Sequence, residues 1–205
     1  MAQHPSAQVS IDATSGKTPS WPARITGTPG VLLAFAWGVA EGTLFFLVPD
    51  VLISLAATLD PRRALKHIAA AAFGAVLAGA IMYGWATRNP IAARWTVTHV
   101  PFVSMRMLTR VESQYRSYGI GAIFIAPLTG TPYKIYAVTT PPRVSEPAFL
   151  LATLPARAYR FFLVWALAGF AGTWLRKSCR FTPAQILATH CCIWVVFYAI
   201  YWSVI

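Results

Sequence analysis

Beyond residue 30 the chain alternates long apolar stretches with short basic or polar intervals, and five apolar stretches stand out. Residues 64–86 form an uninterrupted run rich in Ala and Gly, long enough to cross a hydrocarbon core of about 30 Å. Its small residues suit close helix packing. Residues 147–174 and 186–205 predict two further spans, the last rich in aromatics, with Trp194, Tyr198, Tyr201 and Trp202 towards its end. The other two stretches are broken. Residues 31–59 carry Glu41, Gly42, Pro49 and Asp50 within an otherwise apolar run, and residues 119–140 carry Pro127, Gly130, Pro132 and Lys134. A carboxylate at mid-bilayer costs about 2.5–3.5 kcal/mol on insertion scales. Irregular backbone at that depth is tolerated only where protein or water covers it. Both stretches therefore predict re-entrant helical hairpins lining a polar path.

Residues 88–118 separate the two halves. From Ser104 onward Met107, Leu108 and Val111 fall opposite Arg106 and Arg110, the pattern of an amphipathic helix lying in the membrane interface. Each half holds a proline-interrupted stretch bearing charge, then a full-length span. Such pairing is the sequence pointer to an inverted-repeat transporter with its site at the midplane. The expected fold is an all-α integral membrane domain over residues 31–205, with two re-entrant hairpins, about three transmembrane helices and one interfacial helix. Residues 1–30 are rich in Ser, Thr, Pro and Gly without a long apolar run, which predicts a disordered tail and no signal peptide.

Composition agrees with the pattern. Of 205 residues, 57% are hydrophobic and only 11% charged, against about 25% charged in soluble domains. Seventeen basic and six acidic residues give a net charge of +11. Because the basic residues flank apolar segments instead of forming a soluble stripe, they suit lipid headgroups and argue against a nucleic-acid partner. Their distribution mildly favours the face holding Lys17, Arg24, Arg62, Arg63, Lys66, Arg176, Lys177 and Arg180 as cytoplasmic.

The candidate chemistry is concentrated in the broken stretches and the helix after the second. Glu41 and Asp50 stand nine positions apart, which on one continuous helix puts them on opposite faces, so a break at Gly42 or Pro49 is needed for both to face one cavity. They suit a proton or ion site, or ion pairs to Arg157, Arg160 or Lys134. Arg157 and Arg160 are three apart and share a helix face, where two guanidinium forks could clamp a phosphate. Snorkelling to the headgroup layer is the other reading. Lys134 follows the Gly130-Thr-Pro132 turn and suits a phosphate or a neutralised acid. No phosphate loop, Ser/His/Asp set or zinc signature is present, so neither an enzyme, a cofactor nor a metal is expected. His190 beside Cys191 and Cys192 lacks a second ligand pair.

Three stretches together resemble the DedA superfamily (SNARE-associated or VTT-domain proteins), in particular its YqaA-like branch. They are Ala40-Glu41-Gly-Thr-Leu-Phe-Phe-Leu-Val-Pro49-Asp50, Gly130-Thr-Pro132-Tyr133-Lys134-Ile135 and Arg157-Ala-Tyr-Arg160-Phe161, and the likeness covers residues 33–175. The chain departs from the family at Ala137-Val-Thr-Thr-Pro141-Pro142, where members carry a glycine. The resemblance implies two facing re-entrant hairpins, an inner (plasma) membrane protein of bacteria, and movement of lipids between leaflets. It puts Glu41 and Asp50 on the first hairpin, Lys134 on the second, and Arg157 and Arg160 on the helix that follows. The expected function is translocation of a lipid or lipid-phosphate, coupled to protons through Glu41 and Asp50, with membrane lipids as partners and a homo-oligomer left open. A proton-coupled carrier of a small ion or osmolyte, and a scaffold that transports nothing, are the alternatives.

Overall fold

Proline and capping residues set the helix boundaries. Asp60 accepts a hydrogen bond from the Arg63 amide and precedes Pro61, and Asn89 does the same for Ala92 before Pro90. Both prolines sit in a first turn, where a missing N–H leaves no helical bond unmade. The computed structural model describes residues 20–204, and every regular element among them is helical. In order these are α1 (Trp21–Thr26), α2 (Thr28–Thr43), α3 (Asp50–Leu59), α4 (Pro61–Arg88), α5 (Pro90–Thr98), α6 (Met105–Tyr118), α7 (Ala122–Thr129), α8 (Tyr133–Thr139), α9 (Glu146–Ser178) and α10 (Pro183–Val204).

Three helices, α4, α9 and α10 over Pro183–Tyr201, are long and apolar enough to cross a membrane. Their outer surfaces are apolar: Phe73, Leu151, Leu167 and Phe170 are exposed, Phe170 to 78%. So broad an apolar surface is unstable in water and natural in hydrocarbon. The chain is a membrane protein.

Close contacts fix the helix directions. Gly38 of α2 lies against Ala71 of α4, and Gly42 against Ala78, so α2 and α4 run side by side in one direction. Alongside them α3 returns: Ile53 packs in a cluster with Ala34 and Ile68, and Ala57 in one with Ile25 and Ala64. Gly79 and Tyr83 of α4 meet Phe149 while Pro61 meets Gly169, so α9 runs antiparallel to α4. The arm formed by α2 and α3 thus leaves and returns to the end of the molecule where α4 begins. The arm formed by α7 and α8 comes from the other end, since Tyr133 lies beside Gly79 and Val138 shares a wall with Ala86.

Four expectations need correction. Residues 1–19 of the expected tail lie outside the described residues, but 21–26 and 28–30 are helical, in α1 and the first turn of α2, where Pro22 and Pro29 occupy first-turn positions. Gly42 is no break, since α2 runs through it to Thr43. A side chain there would strike Ala78 and touch the Tyr133 ring, so the glycine serves close packing. Pro127 is likewise within α7, and the turn comes at Gly130, which holds φ +65°, and Pro132. Finally, residues 88–118 form two helices, and the apolar face of α6 is covered by protein. Leu108, Val111 and Tyr115 are buried, and the Tyr115 hydroxyl lies 2.5 Å from Thr140 Oγ1. Burial pushes the Tyr115 phenol above its ordinary value, keeping it neutral.

Candidate functional site

The tips of the two arms meet. Between Thr43 and Asp50 the chain leaves helical geometry, and the polar backbone so exposed is satisfied by side chains from three other elements. Lys134 Nζ donates to the Phe45 carbonyl at 3.1 Å. Trp37 Nε1 donates to the Leu47 carbonyl at 3.0 Å. The Val48 amide donates to the Tyr198 hydroxyl oxygen at 3.1 Å. Pro49 then caps α3 and sets Asp50 as its first residue, where a carboxylate faces the positive end of the helix.

Two ion pairs tie α9 to the first arm. Arg157 Nη2 donates to Glu41 Oε2, with Glu41 and Arg157 only 2% and 4% exposed. Arg160 donates to Asp50 Oδ2 through Nη2 and through Nε, the latter at 3.0 Å. The Arg157 guanidinium is also held between rings, 5.2 Å from the Tyr133 centroid and 4.9 Å from that of Phe161. Arg157 and Arg160 fall close to the middle of α9, a helix of 33 residues. Both guanidiniums turn onto carboxylates of the first arm instead of snorkelling outward.

A cavity of about 210 Å³ lies between the tips, lined by Glu41, Asp50, Lys134 and Arg160 and walled by α10 through Trp194, Tyr198 and Tyr201. Four of the five charged residues singled out from sequence line this space, and Arg157 does not. The two arginines are therefore not one clamp. Arg160 borders the cavity, and Arg157 stands behind, positioning Glu41. Three cations meet two carboxylates, leaving one positive charge in excess. Lys134 is 2% exposed and, among the described residues, has no carboxylate in ion-pair contact, while Asp50 Oδ1 has no hydrogen-bond partner.

The aromatic wall is what the sequence reading missed. Trp194, Tyr198 and Tyr201 recur at intervals of four and three, which places them on one helix face. That spacing was the available signal, masked by the aromatic enrichment usual near membrane interfaces. His190 is part of a hydrogen-bonded cluster, its Nε2 2.8 Å from Ser54 Oγ, with Trp194 Nε1 3.1 Å from each of those atoms.

No family model, curated protein or solved structure matches this chain.

Proposed function

We propose that this chain is a membrane transporter that moves a phosphate-bearing lipid between leaflets and couples the movement to protons. The observation that carries the reading is the cavity between the two arm tips, with excess positive charge close to the middle of a membrane-length helix. Ionisable groups at that depth mark substrate and proton pathways. In this reading the α2–α3 and α7–α8 arms are re-entrant hairpins from opposite faces, in the inverted-repeat arrangement that the DedA-like motifs imply. The opposed directions of the arms and the internally satisfied turn support it. The same likeness implies a bacterial inner membrane.

The geometry suggests how the coupling works. Arg160 spends two N–H groups on Asp50 Oδ2, and Lys134 spends one of three on Phe45. A proton on Asp50 removes the charge that holds Arg160, freeing the guanidinium for an anionic oxygen beside Lys134. Loss of that proton draws Arg160 back and releases the anion. Proton and anion binding then favour one another by linkage. Arg157 keeps Glu41 in place and touches no substrate.

The modest size of the cavity favours one second reading, a proton-coupled carrier of a small anion. Vesicles containing the purified protein separate the two. Lipid movement that varies with pH in wild type and loses that variation in Asp50→Asn supports the lipid reading. A pH-dependent flux of small anion with lipid distribution unchanged selects the other.

A further inference from the structure

Trp194 has a second side. One side closes the charged cavity, and the other walls a separate compartment of about 400 Å³ between α3, α9 and α10. Leu167, Ala171, Ile186 and Ile193 line it, together with Ser54 and Thr58. Ser54, Thr58, His190 and Trp194 are already committed to one another or to their own helices. Ser54 Oγ donates within α3 and lies 2.8 Å from His190 Nε2, Trp194 Nε1 points at both, and Thr58 Oγ1 donates to the Leu55 carbonyl at 2.7 Å. The surface offered to an occupant is therefore apolar.

The compartment exists because two joined helices splay. Gly169 and Gly172 let α9 close on α3, and a side chain at Gly172 would strike Thr58. α10 leans on α3 and leaves a gap along α9. The gap runs along α9 from Val164 to Leu175, about 16 Å at 1.5 Å per residue. That is roughly half of a 30 Å hydrocarbon core, the thickness of one leaflet's chains. Beyond Leu175 the last turn of α9 carries Arg176 and Lys177, residues suited to the headgroup layer.

We infer that this compartment is an acyl-chain site adjoining the charged cavity across Trp194, so that the substrate is an amphiphile whose anionic headgroup sits at Arg160 and Lys134 while one chain lies between α9 and α10. The inference rests on the transport reading for its headgroup site and adds the substrate's apolar half. A free phosphate or small anion has no use for the compartment.

The test uses the full chain in phosphatidylcholine vesicles carrying a trace of phosphatidylglycerol with a photoactivatable diazirine on one acyl chain. Adducts are mapped by mass spectrometry, and lipid movement is followed in the same vesicles. Adducts are expected to concentrate on Leu167, Ala171 and Ile193 over Phe73, an exposed residue of α4. Lys134→Gln is expected to lower the compartment adducts about tenfold, the loss of one charge-assisted hydrogen bond, without changing those on Phe73. Ala171→Phe and Ile193→Trp each fill the compartment and should reduce both adducts and lipid movement, whereas Phe170→Trp, outside it, should leave both as in wild type. Two filling variants guard against one that fails to fold. Equal labelling of the compartment and Phe73, or filling variants that label and move lipid like wild type, overturns the chain site alone. Compartment labelling that depends on Lys134 without lipid movement sinks the transport reading and leaves the chain site standing.

Discussion

Lys134, in the first turn of α8, donates a hydrogen bond at 3.1 Å to the carbonyl oxygen of Phe45, in the turn between α2 and α3. Through this bond the two arms touch tip to tip. Lys134→Met keeps the length of the stem, orphans the Phe45 carbonyl and removes the excess positive charge. A buried polar group left unsatisfied costs about 1–3 kcal/mol. We expect a lower midpoint of thermal unfolding in detergent and loss of lipid movement. Lys134→Arg should retain the charge and part of the activity.

Glu41 and Arg157 are buried together, so each single change leaves the other charge uncompensated, at about 3–5 kcal/mol. Glu41→Gln and Arg157→Met are each expected to destabilise the protein strongly. The double variant should recover most of the stability. A double-mutant cycle of unfolding midpoints measures the coupling. If the double variant stays as unstable as the sum of the singles, the pairing is not what joins α2 to α9.

The α10 wall is held to the first turn by the Tyr198 hydroxyl, which accepts from the Val48 amide. Tyr198→Phe keeps the ring and leaves that amide without this partner, at a cost of about 1–3 kcal/mol. Faster amide exchange at Val48, measured by hydrogen exchange, is the expected signature, along with a lowered unfolding midpoint.

Gly172 sets the distance between α3 and α9. An added methyl would lie 2.6 Å from the Thr58 carbonyl oxygen, and overpacking of this kind costs about 1–3 kcal/mol. Because α3 also carries Asp50, Gly172→Ala is expected to loosen the Asp50–Arg160 pair and reduce transport. Gly84→Ala is the control. There the nearest atom is Arg88 Nη1 at 3.6 Å, so stability should hold or rise.

The membrane spans and the two interrupted stretches were legible because apolar length and proline placement are local properties. That Glu41, Asp50, Lys134 and Arg160 gather around one space was legible because charges inside apolar runs have few places to go. The direction of Arg157 was not. Lipid-facing and protein-facing surfaces are both apolar here, so periodicity cannot say that Tyr133 and Phe161 enclose it. Gly42 misled for a similar reason: a glycine beside a turn and a glycine in a tight helix contact look alike in sequence, and only Ala78 and Tyr133 across the gap tell them apart. The compartment behind Trp194 depends on how far α10 leans from α9, which is a tertiary property.

In the proposed function the purified chain moves lipid through the cavity bordered by Arg160. The most direct measurement is the quenching of a fluorescent phospholipid in sealed vesicles by a membrane-impermeant reagent, with wild type beside Arg160→Gln of verified folding. Quenching in wild type beyond the outer-leaflet share, lost in Arg160→Gln, is the expected result. Quenching confined to the outer leaflet in well-folded wild type, or equal in both proteins, would contradict it.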